Sequence, residues 1–186
     1  MCVNDPECHF NVSPARLARL VQEYRLKHLP RAKEERAFFK TSTREKALEH
    51  AGLAIWKDGK RFRHQNLIVR GALPKARRAL ENIKGKLDGV EDFDALHELI
   101  ERTVGRIKGI GELYIYDTAL RLGAQLGRRP RRVYLHAGPR NGARSLGCID
   151  YRAKAVAVET FPPELQELSA DQIENFLCVM RREFHG

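Results

Sequence analysis

Residues 106–127 read RIKGIGELYIYDTALRLGAQLG, and they restrict the fold more than any other stretch. Two glycines one residue apart, Gly109 and Gly111, interrupt a helical pattern that is well formed on both sides. Before them, Asp92 is placed to cap a helix whose Phe93, Leu96, Leu99, Ile100 and Val104 recur at helical spacing. After them, Leu113, Tyr116, Leu120 and Ala124 share one face of a helix over 112–126, which Gly127 ends. Two amphipathic helices joined this tightly must each bury an apolar face. Glycine suits the joint because it accepts positive φ and lets another backbone come close. Ile110, between the two glycines, is expected to point inward and lock the turn.

The rest of the chain repeats the helical theme. Ser13-Pro14 is a helix start, followed by Leu17, Leu20, Val21 and Tyr24, with Pro30 ending the run. Residues 31–42 are charged and irregular, a weak boundary. Ser42-x-x-Glu45 and Ser169-x-x-Gln172 are capping boxes. Asp58-Gly59 marks a turn, His64-Gln65 follows, and Leu67-Ile68-Val69 is a short apolar stretch. Pro74 starts a helix to about Ile83. Val133-Tyr134-Leu135 is a buried run, a small helix covers roughly 140–146, and 152–160 is a short strand or extended arm. Pro162-Pro163 break any regular element. The expectation is an all-α protein without a convincing sheet: an orthogonal multi-helix bundle of six or seven helices in one compact domain, 1–186. Helices within 13–86 and one over 169–184 would pack on a core at about 92–147.

The chain has 186 residues, 42% hydrophobic and 31% charged, which suits a soluble globular fold. No apolar run approaches the roughly 18 residues a membrane span needs. MCVNDPECHF has no basic segment followed by an apolar one, so no secretory signal is read there, and the cytoplasm is the expected location. The cysteines, Cys2, Cys8, Cys148 and Cys178, form no C-x-x-C pair. Cys2, Cys8 and His9 offer three metal ligands without a fourth, so no metal site is assigned. Cys178 falls in an apolar helical run and reads as core.

The net charge of +10 is concentrated. Between Arg106 and Lys154 stand eleven Lys and Arg against Glu112, Asp117 and Asp150. Such a field attracts a polyanion. The first amides of the 112–126 helix have no partner within it, and the helix dipole is positive there, so a phosphate oxygen is a natural ligand. Arg106 and Lys108 are placed to add charge.

IKGIG between two amphipathic helices resembles the helix-hairpin-helix motif, which holds a DNA strand by its backbone. GIGELYIYDTALRLGAQLG followed by VYLHAGPRNGARSLG is similar, over about 92–147, to the helix-hairpin-helix DNA glycosylase superfamily. The resemblance implies a phosphate-binding role for Lys108, Gly109, Ile110 and Gly111, and a monovalent cation at the hairpin carbonyls. Two catalytic positions differ. Leu113 stands where bifunctional members carry a nucleophilic lysine, and His136 is the nearest polar group where members carry an aspartate. The candidate catalytic groups are therefore Asp117, with Arg121 one turn on and His64 as a further polar partner, and His136 as an acid or base. Tyr114 is a candidate to stack on a base. Arg128, Arg129, Arg131, Arg132 and Arg140 are candidate phosphate contacts. The function expected is binding of DNA, with RNA a second substrate class. It would be either a divergent base-excising DNA-repair glycosylase or a non-catalytic module serving a partner protein.

Overall fold

The computed structural model describes residues 9–69, 71–147 and 149–185. Cys2, Cys8 and Cys148 lie outside them. Among the described residues the chain runs through α1 (Pro14–Lys27), α2 (Leu29–Thr41), α3 (Arg44–Leu53), α4 (Ala72–Asn82), α5 (Phe93–Val104) and α6 (Glu112–Leu126). Strand β1 (Arg132–Tyr134), α7 (Ala137–Leu146), β2 (Ala155–Ala157), α8 (Pro163–Gln166) and α9 (Ala170–Met180) follow, with short 3-10 turns between. The class is all-α. A small antiparallel sheet pairs Arg132, Val133 and Tyr134 with Ala157, Val156 and Ala155.

Backbone contacts group the chain into two compact units, where the sequence suggests a single domain. One is contiguous, Glu34–Arg129; the other joins the described residues up to Lys33 with those from Pro130 on.

In the contiguous unit α3 packs on α4 and α6, and α5 packs on α6 and α4. Helix α6 is enclosed on several sides: Tyr114, Ile115, Tyr116, Thr118, Ala119, Arg121, Leu122 and Gly123 are all buried. The stripe expected from spacing was narrower, and Leu113, Leu120 and Ala124 are only half-buried. A helix with neighbours on several sides buries more than one face, and a single-face pattern cannot reveal that. Asp92 caps α5 by accepting from the Ala95 amide at 2.9 Å.

In the other unit α1 packs on α8 and α9, and α9 packs on α7 and β1. Leu17, Leu20, Val21, Tyr24, Val133, Leu135, Phe161, Leu165, Ile173, Phe176 and Leu177 form its core. The Tyr24 and Phe176 rings meet edge to face at 5.6 Å. Both halves of the expected capping box at Ser169 and Gln172 are present.

Four local expectations are corrected. Residues 31–41 are helical rather than irregular: α1 stops at Lys27, and Pro30 is the second residue of α2. In a first turn proline's missing N–H costs nothing. The cap of α3 is Thr43, accepting from the Lys46 amide at 3.3 Å, whereas Ser42 donates to the Phe38 carbonyl at 2.7 Å and closes α2. Pro74 is the third residue of α4 rather than its start, again within a tolerant first turn. Pro163 opens α8 instead of only breaking structure.

Candidate nucleic-acid interface

Helices α5 and α6 are joined by two consecutive turns. The Ile107 amide donates to the Val104 carbonyl at 2.9 Å, and the Ile110 amide donates to the Ile107 carbonyl at 3.0 Å. Gly109 is the third residue of the second turn, at φ +95°. A four-residue turn that needs positive φ at its third position selects glycine there. Gly111 is the N-cap of α6, at φ −119° and ψ 177°, and its carbonyl accepts from the Ile115 amide at 3.2 Å.

The loop's amides therefore differ. That of Ile110, a residue to which the resemblance gives a phosphate-binding role, is used inside the turn. Those of Gly109 and Gly111 donate to no carbonyl among the described residues. They stand at the positive end of a fifteen-residue helix. Gly111 is more telling than Gly109. Its backbone conformation is open to any residue, and an added Cβ would meet nothing within 4 Å. Neither φ nor packing asks for glycine there; glycine is a good N-cap residue, and it also leaves room for close approach by an outside group. Arg106, Lys108, Gly109 and Gly111 are exposed, while Ile107 and Ile110 are half-buried. The exposed first residue of α6 is acidic: Glu112 brings a negative charge to the same helix end.

Ten residues beyond the loop, α6 carries a polar network centred on a buried arginine. Arg121 is 3% exposed; its Nε lies 2.8 Å from Glu35 Oε1, and its Nη1 donates to Gln65 Oε1 at 3.1 Å. Its guanidinium lies over the Phe62 ring at 3.8 Å. Gln65 Nε2 donates to Asp117 Oδ2 at 2.5 Å, and His64 Nε2 lies 2.8 Å from the same oxygen. Arg121 Nη2 stands 3.8 Å away from it. Asp117 is thus tied to both partners the sequence offered, His64 and Arg121, with Gln65 between them. Glu35 was missed because its contact with Arg121 joins residues 86 apart in sequence.

Neither a family model, nor a curated protein, nor a solved structure matches this chain. Residue roles accordingly follow from geometry alone.

The remaining candidates separate. Tyr114 is a correction: it is 1% exposed, its hydroxyl donates to the Gly52 carbonyl at 2.7 Å, and burial pushes its pKa up to about 12. A ring held in the core between α6 and α3 presents no face to a base. His136 is buried in the other unit, with Nε2 2.8 Å from Glu174 Oε1, an equally buried carboxylate. Arg128 Nε donates to the Val90 carbonyl at 3.2 Å, and Arg132 Nη2 donates to the Ala155 carbonyl at 2.8 Å across the small sheet. Arg129 and Arg131 are exposed and Arg140 is half-buried. The basic segment is divided at the unit boundary: Arg106, Lys108, Arg128 and Arg129 belong to the contiguous unit, and Arg131, Arg132 and Arg140 to the other. Among the described residues no group of three or more His, Cys, Asp and Glu is placed to hold a metal ion, and no helix is long and apolar enough to cross a membrane.

Proposed function

We propose that this protein binds nucleic acid, double-stranded DNA foremost, by receiving a backbone phosphate at the α5–α6 loop. The observation that carries the reading is the open start of α6: the amides of Gly109 and Gly111 donate to no carbonyl among the described residues, and the space beside Gly111 is empty. Exposed Arg106 and Lys108 add the charge a phosphate needs. Recognition of this kind reads backbone and is largely indifferent to sequence. The monovalent cation implied by the helix-hairpin-helix resemblance belongs to the same proposal. Its ligands would be loop carbonyls, whose second lone pairs remain available where one amide is already accepted, as at Ile107 and Gly111.

Fluorescence anisotropy with single-stranded, duplex and abasic DNA and with RNA, over a range of salt, tests the reading. Lys108→Ala should weaken binding to every sequence and reduce the slope of log affinity against log salt by about one. Unchanged affinity and slope would refute it.

Base excision is the second reading, and Asp117 is the observation that favours it: a carboxylate still 14% exposed, on the helix that begins at the loop. A carboxylate there can stabilise positive charge developing on a sugar. A panel of duplexes with damaged bases separates the readings. Product formation that Asp117→Asn abolishes supports excision; no product from any lesion leaves a binding module, with a partner protein supplying the chemistry.

A further inference from the structure

His64 and Asp117 form a pair that the anchoring of their loop does not explain. Gln65, 1% exposed, already ties the segment after the Asp58-Gly59 turn to α6: its Nε2 donates to Asp117 Oδ2, and its Oε1 accepts from Arg121. His64 Nε2 meets the same Asp117 oxygen at 2.8 Å, from a ring still 50% exposed. Asp117 accepts from Gln65 and stands 3.8 Å from Arg121 Nη2, so it is an acceptor toward the ring as well. Nε2 therefore carries the proton, and Nδ1 keeps its lone pair. Nδ1 has no hydrogen-bond partner among the described residues. The Phe62 ring packs beside the imidazole, with centroids 5.9 Å apart. An imidazole oriented by a carboxylate through one nitrogen, with the other unengaged, has the arrangement of a general base.

The pair stands close to the proposed phosphate site. Asp117 follows Gly111 on α6, about 9 Å further along the helix. The loop that carries His64 reaches back to the turn, since a Cβ added to Gly109 would meet Val69 Cβ and Cγ2 at 3.4 Å. A strand whose phosphate sits at 109–111 can therefore continue past the imidazole. Lys60 and Arg63, both exposed, bring cations to the same segment, where charge on a reacting phosphate would need them. The substrate class follows from what such a base can activate. RNA carries a hydroxyl beside each internal phosphate, and DNA carries none.

We infer that the protein cleaves RNA, with His64 as the general base and Asp117 as the residue that positions it. His64 Nδ1 takes the proton of a 2′-hydroxyl. The oxygen bonds to the adjacent phosphorus, and the bond from that phosphorus to the 5′-oxygen of the next nucleotide breaks. The leaving oxygen takes a proton from water, and the imidazolium returns its own to solvent. The products are a 2′,3′-cyclic phosphate and a 5′-hydroxyl, and no second reactant is consumed. The inference rests on the phosphate reading above and adds a reaction to it.

The test uses the full chain and a short fluorescent single-stranded RNA, beside the same sequence as DNA and as RNA with every 2′-hydroxyl methylated. The wild type should release fragments ending in a 2′,3′-cyclic phosphate from the RNA, identified by mass. It should release none from the other two, which should still bind in anisotropy. His64→Ala should lower the cleavage rate by about a hundred- to ten-thousandfold, and free imidazole should restore part of it. His64→Gln keeps a donor for Asp117 without a base and should be equally inactive. Asp117→Asn should lower kcat by about tenfold or more with KM within about twofold. An inactive wild type that binds RNA, or cleavage retained by both His64 variants, overturns the reaction and leaves the phosphate reading standing. No binding to any of the three strands overturns both. If His64→Ala loses affinity along with cleavage and imidazole restores neither, His64 only holds the loop, and its role as a base is wrong.

Discussion

Replacing Gly111 with alanine separates the two reasons a glycine can occupy a helix start. At φ −119° and ψ 177°, with open space around the added Cβ, the fold has little reason to resist the change. Alanine restricts the unfolded chain, which favours folding by about 0.4–1 kcal/mol. It is also a poorer N-cap than glycine, a loss on the order of 0.5–1 kcal/mol. These nearly cancel, so the thermal midpoint should move by no more than about 2 °C. Binding should respond quite differently. The methyl group stands beside the amide that would receive the phosphate, and a hydrogen bond to a charged partner contributes about 1.5–3 kcal/mol. Affinity for duplex should fall by about ten- to a hundredfold. Anisotropy titration and a thermal melt on one preparation read both quantities. Unchanged affinity with an unchanged midpoint would refute the phosphate site. Gly109→Ala cannot separate the roles, because φ +95° and Val69 at 3.4 Å make it costly to the fold itself.

Three further outcomes are expected. Glu112→Gln removes a negative charge from the start of α6; binding to duplex should strengthen by about threefold at low salt, while the helix loses about 0.3–1 kcal/mol, so anisotropy and urea denaturation should move in opposite directions. Arg121→Ala leaves Glu35 and Asp117 without their buried cation and should destabilise the fold by about 3–5 kcal/mol in urea; Arg121→Lys should restore only part of this, because an ammonium lacks the flat face that lies over Phe62. Tyr114 has a pKa raised from 10.0 to about 12, so its neutral phenol is favoured by folding. The stabilisation is complete below pH 10 and is lost as pH rises toward 12, by roughly 2–3 kcal/mol, a loss that Tyr114→Phe should abolish without changing affinity for DNA.

The features legible in the sequence are those governed by short-range chemistry. The caps at Ser13, Asp92 and Ser169, the bounds of α6 and the turn at Gly109 follow from local hydrogen bonding and from positive φ. Pro30 was read as a stop because a helix end and a helix first turn accept proline equally well. The breadth of burial on α6 depends on how many helices surround it, which its own periodicity does not record. Tyr114 followed the same rule: a tyrosine near a basic turn looks available until a distant carbonyl, that of Gly52, takes its hydroxyl. Leu67-Ile68-Val69 is an apolar stretch in the sequence, yet Leu67 is exposed, in a loop that α6 holds at Gln65 and Arg61 at Ile68.

The order in which the chain leaves the ribosome gives the discontinuous unit a particular burden. Helix α1 is made before the contiguous unit, but α8 and α9, against which it packs, are made after it. Glu34–Arg129 is an uninterrupted segment that can acquire its contacts while synthesis continues. Through that interval Leu17, Leu20, Val21 and Tyr24 have no native surface to cover them. A product ending near Arg129 would keep that stripe permanently bare, and clumping or capture by chaperones, rather than loss of the central helices, would be its first defect.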